Sequence, residues 1–156
     1  MGVSYRAKSA SVSYEPGITS VRRLIQCVGG TVKYGATLER PVVTMLDTDA
    51  GTWTAFSEPP ACAPGANGNL VIRFDPKDGV EACAFKVEWS ADADLEVRPG
   101  APLMDLGTGE WIANATFRLP KDTTKDEYLI RVLTTRTAGG HGTTSLTVVV
   151  PVAAVR

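Results

Sequence analysis

Chemistry in this chain would have to come from one histidine, three cysteines, a few closely spaced carboxylates and three tryptophans. His141 sits in Ala138-Gly-Gly-His-Gly142. A catalytic base must be held within hydrogen-bond reach of its nucleophile, and a glycine-rich segment holds it poorly. His141 therefore reads as a solvated turn residue. Asp47-Thr-Asp49-Ala-Gly51 offers alternate carboxylates and a glycine, oxygen ligands of the kind calcium takes. The EF-hand pattern wants a third ligand at the next alternate position and a glutamate beyond it. Thr52 to Ser57 supply neither, so Asp47 and Asp49 read as a polar turn, with a calcium ion there left open. Asp92 and Asp94 read the same way, as solvated carboxylates.

Cys27, Cys62 and Cys83 have no CxxC spacing, and one histidine is too few for a zinc site. They read as buried thiols, with an oxidised Cys62–Cys83 pair as the alternative. There is no GxSxG, and the glycine-rich stretches lack the lysine of a phosphate-binding loop. A glycosidase needs two carboxylates about 5 to 9.5 Å apart across a cleft, and no pair among the acidic residues is singled out by the sequence. The expectation is a non-enzymatic protein with no cofactor and no metal.

Tryptophans can stack on sugar rings when exposed. Trp89 and Trp111 fall in phase with apolar residues and read as interior. Trp53 lies in Asp49-Ala-Gly-Thr-Trp-Thr-Ala-Phe56 beside a turn and reads as the candidate exposed contact. Asn114-Ala-Thr116 matches the glycosylation sequon but falls in mid-strand, where chance is the better reading.

The elements that would carry these residues are strands. Leu70, Ile72 and Phe74 alternate with Val71, Arg73 and Asp75. The same period of two runs through Cys83 to Trp89, Trp111 to Leu119, Tyr128 to Val132 and Leu146 to Val150. Turn signals separate the runs, among them Asp75-Pro-Lys-Asp-Gly79, Arg98-Pro-Gly100 and Leu119-Pro-Lys-Asp122. Short strands at this spacing predict an antiparallel β-sandwich. Val3 to Tyr14 reads as one strand or two, and Thr31 to Tyr34 and Pro41 to Leu46 as further strands. A short helix is expected over residues 19–28, capped by Thr19 or Ser20, with Val21, Leu24, Ile25 and Val28 on one face and Gly29-Gly30 after it.

The 156 residues suit one domain, and the 44% hydrophobic and 21% charged fractions are ordinary globular values. Residues 57–68 are the one plausible internal boundary. They are either a surface loop within a single domain or a link between residues 1–56 and a sandwich of residues 69–151. Sixteen basic residues against seventeen acidic ones give no reason to expect nucleic acid as the main partner. No apolar run is long enough to span a bilayer, so no membrane partner is expected. The first residues carry no signal-like apolar stretch, which points to synthesis in a host cytoplasm.

Residues 69–151 resemble immunoglobulin-like β-sandwich modules of phage and viral virion proteins. The resemblance rests on Phe85-Lys-Val-Glu-Trp89, Leu119-Pro120, Tyr128-Leu-Ile-Arg-Val-Leu133 and Thr144-Ser-Leu-Thr-Val-Val-Val150. Tyr128, after Lys125-Asp126-Glu127, suits the tyrosine position at the corner before a late strand. No Cys–Trp–Cys arrangement is present, and an eight-stranded jelly roll using the whole chain fits nearly as well. The resemblance implies a virion structural protein: a capsid, capsid-decoration or tail component working through subunit contacts, as a homo-oligomer or with other virion proteins. Val71, Leu129, Leu133 and Val149 are apolar on the face opposite the expected core and are the candidate assembly surface, unless residues 1–56 cover them as a second layer. Val3 to Tyr14 could add to a neighbour's sheet edge, and Val152 to Arg156 could dock as a tail. The alternative is a secreted or cell-surface carbohydrate-binding module presenting Trp53.

Overall fold

The computed structural model describes residues 2–4, 9–29, 38–78, 84–105, 107–137 and 142–153. The expected strand Thr31 to Tyr34, Cys83, His141 and residues 154–156 lie outside the described residues. The chain divides into two units, Met1–Ala36 and Thr37–Arg156.

In the first unit, β1 (Gly2–Ser4) pairs antiparallel with β2 (Ser9–Ser11), so Val3 to Tyr14 contributes two short strands. A tight turn follows at Glu15 to Ile18, closed by the Ile18 N–H on the Glu15 carbonyl at 3.2 Å. Pro16 sets its first corner, and Gly17 takes the positive φ of 94° that the second corner demands. Helix α1 (Val21–Gly29) starts one residue after Ser20, whose hydroxyl accepts the Arg23 N–H at 3.3 Å as an N-cap.

The second unit is an antiparallel β-sandwich, which makes the protein all-β with one short helix among the described residues. Its larger sheet runs β3 (Thr44–Asp47), β4 (Gly51–Glu58), β5 (Asn67–Pro76), β9 (Trp111–Arg118) and β7 (Glu96–Pro99), with β8 (Leu103–Met104) also on β9. The smaller sheet has β10 (Glu127–Arg136) in the centre, with β11 (Thr143–Pro151) on one side and β6 (Phe85–Ser90) on the other. Residues 57–68 do not separate two subdomains. They end β4 and begin β5, which pair directly from Gly51↔Pro76 to Glu58↔Asn69.

Alternation decides the layers. Trp53, Ala55, Leu70, Ile72, Phe74, Trp111, Ala113, Ala115 and Phe117 of the larger sheet meet Tyr128, Ile130, Val132, Leu146, Val148 and Val150 of the smaller one in one buried core. Each fully buried Val, Leu, Ile or Phe side chain among them contributes about 1.5 to 3 kcal/mol by leaving water. Strands β3 and β4 extend the larger sheet edgewise. They are not a second layer over its outer face.

Candidate interaction surfaces

Trp53 is not an exposed contact. It lies on β4, which the sequence reading missed, and is buried at the middle of an aromatic cluster. Its ring centroid is 4.8 Å from Phe74, 4.7 Å from Phe85 and 6.0 Å from Trp111. Edge-to-face and tilted pairs of this kind add to plain area burial. The alternation Trp53-Thr-Ala55-Phe-Ser57 was the available signal. It was obscured because Phe56 faces outward, while Ala55 and Ser57 face inward and look unremarkable.

The four aliphatic candidates do not form one surface. Val71 sits on the outer face of the larger sheet, between Phe56 of β4 and Asn114 of β9. Leu129, Leu133 and Val149 sit on the outer face of the smaller sheet, the opposite side of the sandwich, with Leu129 directly across from Val149. Their exposure differs too. Leu129 is 40% exposed, Leu133 and Val71 are half-buried, and Val149 is fully buried outside the main core. A sandwich has two outer faces, and period-two alternation cannot say to which one a residue belongs.

The outer face of the larger sheet carries an apolar band that the sequence did not reveal. Met45, Phe56, Val71, Ile112 and Leu103 follow one another as direct or diagonal neighbours across β3, β4, β5, β9 and β8. Met45 is 66% exposed, Leu103 65%, and Val43 just before β3 is 51%. Arg73 stands within the band, with its guanidinium on Glu110 at 2.5 Å. Beyond it the same face turns polar, in a cleft of about 420 Å³ lined by Asn67, Asn69, Glu96, Arg98, Thr116 and Arg118.

Asp47 and Asp49 do not converge on an ion site. Asp47 Oδ1 accepts the Thr52 hydroxyl at 2.6 Å, Asp49 is exposed, and no cluster of metal-ligating side chains occurs among the described residues. Cys62 is a buried free thiol, and burial pushes its pKa up. Asn114 and Thr116 lie on the exposed face of β9. Among the described residues no helix is long and apolar enough to cross a membrane.

Asp92 and Asp94 are less idle than the sequence suggested. Lys125 Nζ reaches Asp92 at 2.8 Å and Asp94 at 3.4 Å. The buried Tyr128 donates its hydroxyl to Asp94 Oδ2 at 3.1 Å. Because a carboxylate only accepts, the 2.6 Å contact of Thr123 Oγ1 with Tyr128 has Thr123 as donor. The Lys125 backbone N–H closes the chain on Thr123 Oγ1 at 3.2 Å. Desolvation pushes the Asp94 carboxyl up. The hydrogen bond from Tyr128, its own backbone N–H and Lys125 outweigh that and hold it below the ordinary value. Burial, then the adjacent Asp94, pushes Tyr128 above its ordinary value against the pull of Thr123. This network ties the turn before β10 to the turn before β7.

The smaller sheet has two edges, and hydrogen bonds tell them apart. On β11 the Arg136 N–H binds the Gly142 carbonyl, so the even-numbered residues of that strand face β10 and the odd-numbered ones face out. Three of the outward carbonyls are occupied. Thr44 Oγ1 donates to Thr147 O at 2.6 Å, Ser57 Oγ to Val149 O at 3.0 Å and Cys62 N–H to Pro151 O at 2.9 Å. Just past the strand, Ala153 N–H donates to Cys62 O at 2.9 Å. On β6 the Thr137 N–H binds the Ala84 carbonyl, which turns Lys86, Glu88 and Ser90 toward β10 and the backbone of Phe85, Val87 and Trp89 outward. Among the described residues β6 pairs with β10 alone.

No protein-family model matches the chain, and no curated protein matches it either.

Proposed function

We propose that the protein is a non-enzymatic structural module that works by contact between protein subunits, in a virion as a capsid, decoration or tail component. The observation that carries the reading is the apolar band on the larger sheet, with Met45 and Leu103 about two-thirds exposed at its two ends. Apolar groups gathered on one open sheet face favour burial against another protein surface. The virion setting follows the resemblance of residues 69–151 and is part of the proposal. Burial of Trp53 removes the aromatic platform that a carbohydrate-binding module would have used.

The test is sedimentation velocity on the wild type and on a Met45→Asp/Leu103→Asp variant. Both positions are exposed, so the sandwich itself tolerates the change. The expected result is assemblies larger than a dimer for the wild type and their loss in the variant. A wild type that never exceeds a dimer, or a variant that assembles equally well, overturns the reading.

A further inference from the structure

We infer that β6 is a self-pairing edge, joining two copies of the chain antiparallel about a two-fold axis through Val87. Three observations lead there. First, the backbone N–H and C=O groups of Phe85, Val87 and Trp89 point away from β10. Free-edge groups of that kind are satisfied by water or by another strand. Second, the inward side chains of the same residues are only half-buried, although they pack on the core. Opposite Trp89 and Val87 on the central strand, Val132 and Thr134 are fully buried, while Arg136 opposite Phe85 is half-buried. Val97 on β7 and Met104 on β8 are likewise only partly covered, so the core stays thinly clad where it lacks a further strand.

Third, Phe85-Lys-Val-Glu-Trp89 reads as its own complement. Antiparallel pairing about Val87 sets Phe85 against the second copy's Trp89, Lys86 against its Glu88, and Val87 against its Val87. Aromatic pairs and opposite charges facing each other are the favourable cross-strand combinations. The register also uses Phe85, Val87 and Trp89 as the hydrogen-bonded pairs, the residues whose backbone already faces out. In the single chain Lys86 and Glu88 sit 3.3 Å apart, with side chains 70% and 57% exposed, so both are free to exchange partners. Edges are commonly guarded by charge. One positive and one negative residue two apart repel a parallel copy, which would set Lys86 on Lys86, and admit an antiparallel one.

The result is a continuous sheet running β11, β10, β6 and then the same strands of the second copy in reverse, an isologous interface. It is small, so the dimer is a weak one, in the micromolar range or above. This inference concerns a different surface from the apolar band, and either can fail alone.

The experiment is sedimentation equilibrium of the full chain up to about 100 µM, in the Met45→Asp/Leu103→Asp background, which leaves the β6 edge untouched. The parent is expected to dimerise. Lys86→Glu and Glu88→Lys, each alone, set like charges face to face twice in the dimer and should weaken it about tenfold or more. An equimolar mixture of the two single variants should dimerise again, because each then meets the opposite sign. The Lys86→Glu/Glu88→Lys double variant should dimerise by itself. Recovery on mixing excludes misfolding as the cause of the loss. A monomeric parent, or a dimer indifferent to both single reversals, overturns the inference while leaving the apolar band to its own test.

Discussion

Strands β11 and β6 flank the same central strand, present the same alternation, and finish in opposite ways. At β11 the outward carbonyls of residues 147, 149 and 151 are met by Thr44, Ser57 and Cys62, all from the β3 to β5 side of the larger sheet. The two sheets are laced together there by hydroxyls and one loop amide. At β6 the equivalent groups of Phe85, Val87 and Trp89 have no strand beside them among the described residues, and the aromatic side chains behind them are half-covered. One edge has carbonyls met from within the chain, and the other is open among the described residues. A sheet edge is thus defined by what stands beside it more than by its own residues.

Substitutions on the two sides should separate them, beginning with the core that both share. Trp53→Ala removes the ring that links β4 to Phe85 at the base of the open edge. It should cost about 3 to 5 kcal/mol in chemical denaturation, and it should loosen β6 before β11. An equal loss of amide protection on both edge strands would break the distinction.

Ser57→Ala tests the closed edge. The hydroxyl is fully buried and serves the Val149 carbonyl, so its removal should cost about 1 to 3 kcal/mol by leaving that carbonyl unsatisfied. Thr44→Val, at the more exposed end of the same seam, should cost about 1 kcal/mol. If both variants melt like the wild type, the seam is not a stabilising feature.

The corner at Tyr128 sharpens the picture from the end of the sandwich. Tyr128→Phe should cost about 1 kcal/mol or somewhat more, read from urea unfolding. The folded Asp94 carboxyl lies below its ordinary value of 3.8. Its contribution is therefore fully present above that value and is lost as pH falls through the lower folded one. Tyr128 lies above its ordinary 10.0, so its contribution is present below pH 10 and is lost as pH rises through the folded value. Asp94→Asn should flatten the acid side of the stability profile and leave the rest of the acid limb to other groups. An unchanged acid limb would remove Asp94 from the network. The smallest effect is at the open edge itself. Lys86→Ala should change the unfolding free energy of the single chain by no more than about 0.5 kcal/mol, because an exposed ion pair contributes little.

Much of the sandwich was legible in the chain. The alternation of Leu70 to Phe74, Trp111 to Phe117, Tyr128 to Val132 and Leu146 to Val150 located strands of both sheets, because inward and outward residues differ sharply there. Helix α1 was legible from Ser20 and the apolar spacing after it. Strand β4 was not, since Ala55 and Ser57 line its inner face and Phe56 its outer one. Short β7 and β8 were hidden by Arg98-Pro-Gly100, which read as a turn, and by their length. The surfaces were less legible still. Val71 and Leu129 have the same phase in their strands but fall on opposite outer faces, and Trp53 looked exposed only because its strand went unseen. Nothing in the sequence says that Thr44 and Ser57 meet β11, since that contact joins residues about ninety to a hundred positions apart. The self-complementary Phe85 to Trp89 run was visible as a core strand. Its meaning as an edge needed the strand order.

Amide hydrogen exchange resolved by residue, measured at low and high protein concentration, reaches the open edge most directly. The amides of Lys86 and Glu88, which face β10, should be protected at every concentration. Those of Phe85, Val87 and Trp89 should exchange quickly in dilute protein and slow down as the dimer fills. If these three are already protected in the dilute chain, or stay fast at concentrations where the protein is dimeric, β6 is not the edge that a second copy completes.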